Sequence, residues 1–175
     1  MLYCVYLFRT AGVLIKNTGY FMSFSLTRKT DYALVALSAL ALQRENGGDP
    51  LSARHLAEAN GLPQQLLMNV LKELHRAGVI GSRRGVSGGY YLETSPQDIT
   101  LCQVLEILEG PVSVSLCSGD HLENDAASCQ MESTCPISEP IRKFNDLLND
   151  FLAQITLRQL IDNETPVSFP IGVSV

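Results

Sequence analysis

A mainly α-helical fold carrying one small β-hairpin and ending on a long C-terminal helix is what this sequence predicts, on three observations. Apolar residues recur at helical spacing between Tyr32 and Leu74, with capping residues and glycine stops separating the segments. The stretch "VIGSRRGVSGGYYLE" reads as two short strands around a loop rich in glycine and arginine. Ile137, Ile141, Phe144, Leu148, Phe151 and Ile155 step by four, three, four, three and four, which is a heptad seam.

Each element has a local cause. Thr27 is an N-cap, and Tyr32, Val35, Ala36, Ala39 and Leu40 give the first helix its apolar face to about Arg44, where "ENGGDP" stops it. Ser52 caps a short second helix and Gly61 turns the chain. Pro63 suits the first turn of a third helix, whose apolar face is Leu66, Leu67, Val70, Leu71 and Leu74, up to Gly78. Two helices on a short glycine turn make a helix-turn-helix pattern. Strands from Val79 to Ser82 and from Tyr90 to Glu93 then place a hairpin behind the third helix, in the position of a wing, with Arg83 and Arg84 near its tip. The alternative is a solvated hairpin with incidental charge.

After "TSPQD" a helix is expected from Thr100 to Glu109, with Leu101, Val104, Leu105 and Leu108 on one face and Cys102 packed among them. Pro136 opens the long helix, whose seam favours pairing between two chains. The whole is a winged helix-turn-helix plus a long C-terminal dimerisation helix. Residues 22–98 form the winged domain, 99–163 the linker helix, cysteine loop and dimerisation helix, and 164–175 a tail. Residues 1–21 are broken by Arg9, Gly12 and Lys16 and read as an upstream extension, the working chain starting at Met22, so Cys4 has no role.

Charge is unevenly spread along the chain. Eight Lys/Arg face five Asp/Glu between Met22 and Leu92, whereas three face thirteen from Glu93 to Val175. A mildly basic half joined to an acidic half fits a DNA-reading module attached to something else. No apolar run of about 18 residues marks a membrane span. Five cysteines without a secretory signal point to a reducing cytoplasm. No nucleophile with a base, phosphate-cradling loop or paired carboxylates suggest an enzyme, and His55, His75 and His121 are scattered.

Three of the cysteines lie in one polar loop, "LCSGDHLENDAASCQMESTCPIS". Cys117, Cys129 and Cys135 are separated by eleven and five residues, so the Cys-x-x-Cys of thiol redox centres and zinc ribbons is missing. Three thiolates still suit an iron–sulfur cluster with one position left for an oxygen or nitrogen ligand. Structural zinc with His121 as fourth ligand, and unligated thiols, are the other readings.

Taken together, "LTRKTDYALVALSALA", the helix-turn-helix, "RRGVSGGYYL", "TLCQVLEILEG" and the three-cysteine loop before a long helix resemble the Rrf-two type of winged helix-turn-helix transcription regulators. The resemblance covers Met22 to about Asn163, and "CPISEPIRKFNDLLNDFLAQITLRQL" is most similar to the branch that regulates the sulfur-mobilisation (SUF) cluster-assembly genes. It implies a cytoplasmic repressor, homodimeric on double-stranded operator DNA, with a 2Fe–2S or 4Fe–4S cluster on Cys117, Cys129 and Cys135. Some members have a histidine three residues after the last cysteine, where this chain has Ser138. Others use a carboxylate at the start of the first helix, where it has Asp31, so the resemblance favours Asp31 over His121. DNA contacts are implied for Gln64, Gln65, Met68, Asn69 and Lys72 on the third helix, Arg83 and Arg84 on the wing, and Arg28 and Lys29 on the first helix. A zinc- or thiol-based interaction module without a cluster is the alternative.

Overall fold

The computed structural model describes residues 26–85, 87–115, 129 and 133–162. Helix α1 (Arg28–Glu45) is capped by the Thr27 hydroxyl, which accepts from the Thr30 amide. Its buried face is Thr30, Ala33, Ala36, Leu37, Leu40 and Ala41. The sequence places that face about one residue earlier, and Val35, expected inside, is exposed. The reason is the run "YALVALSALAL", in which apolar residues surround the helix so completely that several stripes satisfy the same spacing.

Helix α2 (Ala53–Asn60) starts on the Ser52 cap and ends on Gly61, whose φ of 64° is the left-handed geometry glycine adopts at little cost. Helix α3 (Gln64–Arg76) follows, with Pro63 one position before it. Leu67, Val70, Leu71 and Leu74 bury the expected face. Leu66 does not join them and stays 51% exposed, lining an open cleft with Arg28, Lys29 and Tyr32 of α1.

The hairpin pairs β1 (Ile80–Arg83) with β2 (Gly89–Leu92), antiparallel, in the register Ile80↔Leu92 to Arg83↔Gly89. Leu51 adds a bridge to Tyr90, with backbone bonds of 2.9 and 2.8 Å. A Cβ on Gly89 would lie 2.5 Å from the Leu51 backbone, which is why the strand opens on glycine.

Helix α4 (Leu101–Glu109) is capped by Thr100. Helix α5 (Ser138–Gln154) starts two residues beyond Pro136, with Pro140 tolerated in its first turn. It ends before Ile155, whose extended backbone leads into α6 (Leu157–Ile161), a short helix not foreseen in the sequence. A reciprocal cap between Thr156 and Gln159 sets α6. Backbone bonds Leu101 N to Ile155 O and Leu157 N to Ile99 O, both 2.8 Å, fasten it to the start of α4. One core joins α1, α2, α3 and the strands with Ile99, Val104, Leu108 and Leu157. A smaller one, Cys102, Leu105 and Leu152 with Leu148 against them, sits between α4 and α5.

Leu67→Ala should therefore cost about 2–5 kcal/mol in chemical denaturation, and Leu66→Ala less than about 1 kcal/mol. Equal losses would mean that α3 is rotated from the orientation described.

Candidate nucleic-acid interface and cysteine loop

Away from its buried stripe, α3 presents Gln65, Met68, Asn69 and Lys72, and Gln64, in line with Leu67 and Leu71, is exposed at the open first turn. These are the five positions expected to face DNA, and the amphipathic pattern of the helix alone puts the first four together. Arg76, one turn beyond Lys72, is exposed on the same side and was missed in the sequence reading. The i, i+4 spacing from Lys72 was the available signal.

The wing stands beside the end of that helix. Arg83 closes the strand pairing and Arg84 follows it, both exposed. Gly88 donates its amide to the Gly85 carbonyl at 3.0 Å, and a Cβ there would meet the Arg83 carbonyl at 2.4 Å, so the tip closes only without a side chain. The hydroxyl of Ser82 and Nε2 of His75 lie 3.1 Å apart, linking β1 to the last turn of α3. A groove lined by Lys72, His75, Arg76, Ser82 and Tyr90 runs between them. Polar amides on α3 and cations in the groove and on the tip give a surface for base edges and phosphates respectively.

At the start of α1, Arg28 is exposed. Lys29 is not available in the same way: its ammonium pairs with Glu73 at 2.8 Å and donates to the Leu108 carbonyl at 2.5 Å. Thr27 and Thr30 donate their hydroxyls to one oxygen of Glu109, the Thr30 bond at 3.1 Å. The first turn of α1 is thereby bound to the last turn of α4, next to the residues where the cysteine loop departs. Asp31 is exposed in that first turn, where a carboxylate complements the helix N-terminus.

Of the loop thiols, Cys129 and Cys135 are half-buried and free. The Cys135 carbonyl accepts from the Ser138 amide at 3.3 Å and its hydroxyl at 3.0 Å, fixing the last cysteine to the start of α5. Cys117 and His121 lie outside the described residues. Among the described residues no three His, Cys, Asp or Glu side chains gather as a metal site, so Asp31 is not brought to Cys129 and Cys135 within one chain. Cys102 is different from the loop thiols. It is buried between α4 and α5, 3.7 Å from Glu106 Oε1 and 3.9 Å from Asn149 Oδ1. Burial pushes its thiol up, and the Glu106 carboxylate adds to the effect, so its thiolate is disfavoured.

Along the expected heptad seam of the long helix, Leu148 and Ile155 are packed inside the chain, while Ile141 and Phe151 stay half-exposed. Leu148 turns inward against the α4–α5 cluster, while Leu147, outside the expected seam, is 67% exposed. Ile137 at 59% and Phe144 at 55% remain on the outer side. The outward apolar residues are thus Ile137, Phe144 and Leu147, because α4 already covers the neighbouring stripe.

A model of the Rrf2 family, described as an iron-dependent transcriptional regulator, matches residues 26–163. The chain is 30% identical over 139 residues to the HTH-type transcriptional regulator IscR of Pectobacterium atrosepticum, covering 79% of this chain and 80% of the relative. In structure it is similar to CymR, the global cysteine regulator of B. subtilis, with a TM-score of 0.60 and 27% identity over 79% of this chain and 97% of that one. It shares its fold with T. potens IscR, with a TM-score of 0.61 and 24% identity over 86% and 96%.

Alkylation with iodoacetamide at pH 8 should label Cys129 and Cys135 of the metal-free chain at least about tenfold faster than Cys102. Comparable labelling of all three by peptide mass spectrometry would contradict the protected state of Cys102.

Proposed function

The chain belongs to the Rrf2 family of transcription regulators, and from that premise we propose that it represses its target genes as a homodimer on double-stranded operator DNA, gated by an iron–sulfur cluster on Cys117, Cys129 and Cys135. It is a DNA-binding regulator and not an enzyme. The genes we assign to it are those of the sulfur-mobilisation (SUF) assembly system, and its place is the cytoplasm.

The observation that carries the DNA-reading part is the exposed face of α3 lying beside a basic wing. Gln64, Gln65 and Asn69 suit adenine edges in the major groove, and Met68 suits a thymine methyl. Lys72 and Arg28 face phosphates, while Arg84, with Arg83, enters the minor groove. Lys29 contributes through the position of α1. The outward residues of α5, Ile137, Phe144 and Leu147, support pairing of two copies, since apolar side chains of that size gain from leaving water.

Three observations support the sensing part. The family is described as iron-dependent, the loop supplies soft thiol donors, and the two described loop cysteines are free while Cys102 is held apart. This donor set fits an iron–sulfur group. Such a group, when bound, supplies a soft, oxidisable core that is lost more readily where a ligand other than cysteine completes it. We assign that fourth position to Asp31, reached across the dimer from the other copy. The residues then do the coupling: Cys135 is fixed to α5 and the loop's other end to α4, and Glu109 holds α4 to the first turn of α1, one residue from Asp31. A change in how the loop is gathered reaches the DNA-reading helices through those bonds.

In an operator-binding titration, Arg84→Ala should weaken binding severalfold and lower the slope of log affinity against log salt by about 1. An unchanged slope counts against the wing assignment. Anaerobically purified protein should be coloured, with iron and sulfide, and Cys129→Ala should bleach it. Asp31→Ala should shift the visible spectrum and reduce operator affinity together. A colourless wild type carrying stoichiometric zinc, or no metal, would leave a zinc- or thiol-based regulator as the reading.

A further inference from the structure

Between α4 and α5 lies a row of polar side chains that the DNA surface does not use. Asn145 is 5% exposed, and its Oδ1 accepts the Val114 amide at 3.1 Å. One turn on, Asn149 donates Nδ2 to the Val112 carbonyl at 3.2 Å and to the Asn145 carbonyl at 3.1 Å. Two carbonyl acceptors fix which end of the Asn149 amide is nitrogen, so its Oδ1 faces the Cys102 thiol. The two asparagines thus grip backbone atoms two residues apart in the arm that runs from Gly110 toward the cysteine loop, ending three residues before Cys117.

This grip answers the attachment at the other end of the loop. Cys135 is fixed to the first turn of α5 by Ser138, and the incoming arm is fixed to the middle of the same helix by Asn145 and Asn149. Both ends of the loop are therefore referenced to one rigid element. An asparagine buried at a helix interface is costly unless satisfied, and here the bonds at 3.1 and 3.2 Å to the arm are to its main chain, at Val114 and Val112. Packing alone would be served at least as well by leucine at these two positions, next to Leu148 and Leu152.

We propose that Asn145 and Asn149 are positioning residues for the cysteine loop: they clamp residues 112–114, which lead into it, to the same helix that holds Cys135. The proposal rests on the cluster reading given above for what the loop holds, but the clamp itself is a property of the metal-free chain. The two residues work with opposite chemistry. Asn145 acts as an acceptor, so Asn145→Asp keeps the bond to the Val114 amide and Asn145→Leu removes it. Asn149 acts as a donor toward Val112, so Asn149→Asp removes that bond.

The test is hydrogen exchange on the metal-free full-length chain, followed by loss of visible absorbance in air of the anaerobically reconstituted protein. Exchange at Val114 should quicken about tenfold in Asn145→Leu, the scale of one lost hydrogen bond, and stay near wild type in Asn145→Asp. Asn149→Asp should loosen the 112–115 segment although it is the same substitution. Bleaching should follow the same order, several times faster in Asn145→Leu and Asn149→Asp than in Asn145→Asp. Unchanged exchange at Val114 in Asn145→Leu overturns the clamp, and faster exchange with unchanged bleaching overturns its link to the loop's cargo. A wild type that never acquires iron and sulfide sinks the cluster reading, while the exchange pattern still decides the clamp.

Discussion

The contact on which the rest of this structure depends is the one between the first turn of α1 and the last turn of α4. Thr27 and Thr30 give their hydroxyls to Glu109, and Lys29 is held between the Leu108 carbonyl and Glu73 of α3. Three elements meet there: the helix that begins the DNA-reading module, the helix that carries the polar reading face, and the helix from which the cysteine loop departs. Thr30 is fully buried, so its hydroxyl has no water to fall back on and the Glu109 bond is the one it needs. The corner joins the end of α4, next to where the loop departs, to the start of α1 and through Lys29 to α3.

Much of this was legible in the sequence because it was written in local chemistry. The caps Thr27, Ser52 and Thr100 each mark a helix start that the structure confirms, and Gly61 marks the turn before α3. The wing was legible because strand, basic glycine loop and strand follow two helices in order. What failed did so where period alone had to choose between faces. Tyr32 and Val35 in α1, and Leu66 in α3, were assigned inward on spacing that several stripes satisfy, and the choice was made by which neighbour packs there. Leu148, expected on the seam between two copies, packs against α4 for the same reason. The short α6 was out of reach because five residues carry little periodic signal, and its position comes from backbone bonds to Ile99 and Leu101 far away in sequence.

The cysteines show a second kind of division, made by environment rather than by spacing. Cys102, Cys129 and Cys135 carry the same functional group, and the sequence separates them by their surroundings: Cys102 lies amid leucines on a helix, the others amid small polar residues. In the structure burial and a neighbouring carboxylate push the helix-bound thiol up, which disfavours its thiolate. It still acts, as a weak donor toward Asn149, whose other end grips the loop. Among the described thiols, one is thus packed into a helix interface and the other two stand at the half-exposed loop.

Net charge poses a sharper question, since a chain of −5 has no evident claim on DNA. The answer lies in which charges are already committed. Of the eight basic residues from Met22 to Leu92, Lys29 is paired with Glu73, Arg54 with Glu58, and Arg44 donates to the Leu92 and Thr94 carbonyls at 3.4 and 2.8 Å. Glu45, a further acid in that stretch, is taken by Arg158 of α6. The five remaining cations are Arg28, Lys72, Arg76, Arg83 and Arg84, and all five are exposed at the start of α1, along α3 or on the wing. Ion pairs and backbone bonds thus commit three of the eight cations within the domain and leave the other five on the surface proposed for phosphates. The acids from Glu93 onward lower the net charge without changing which cations the winged part leaves exposed.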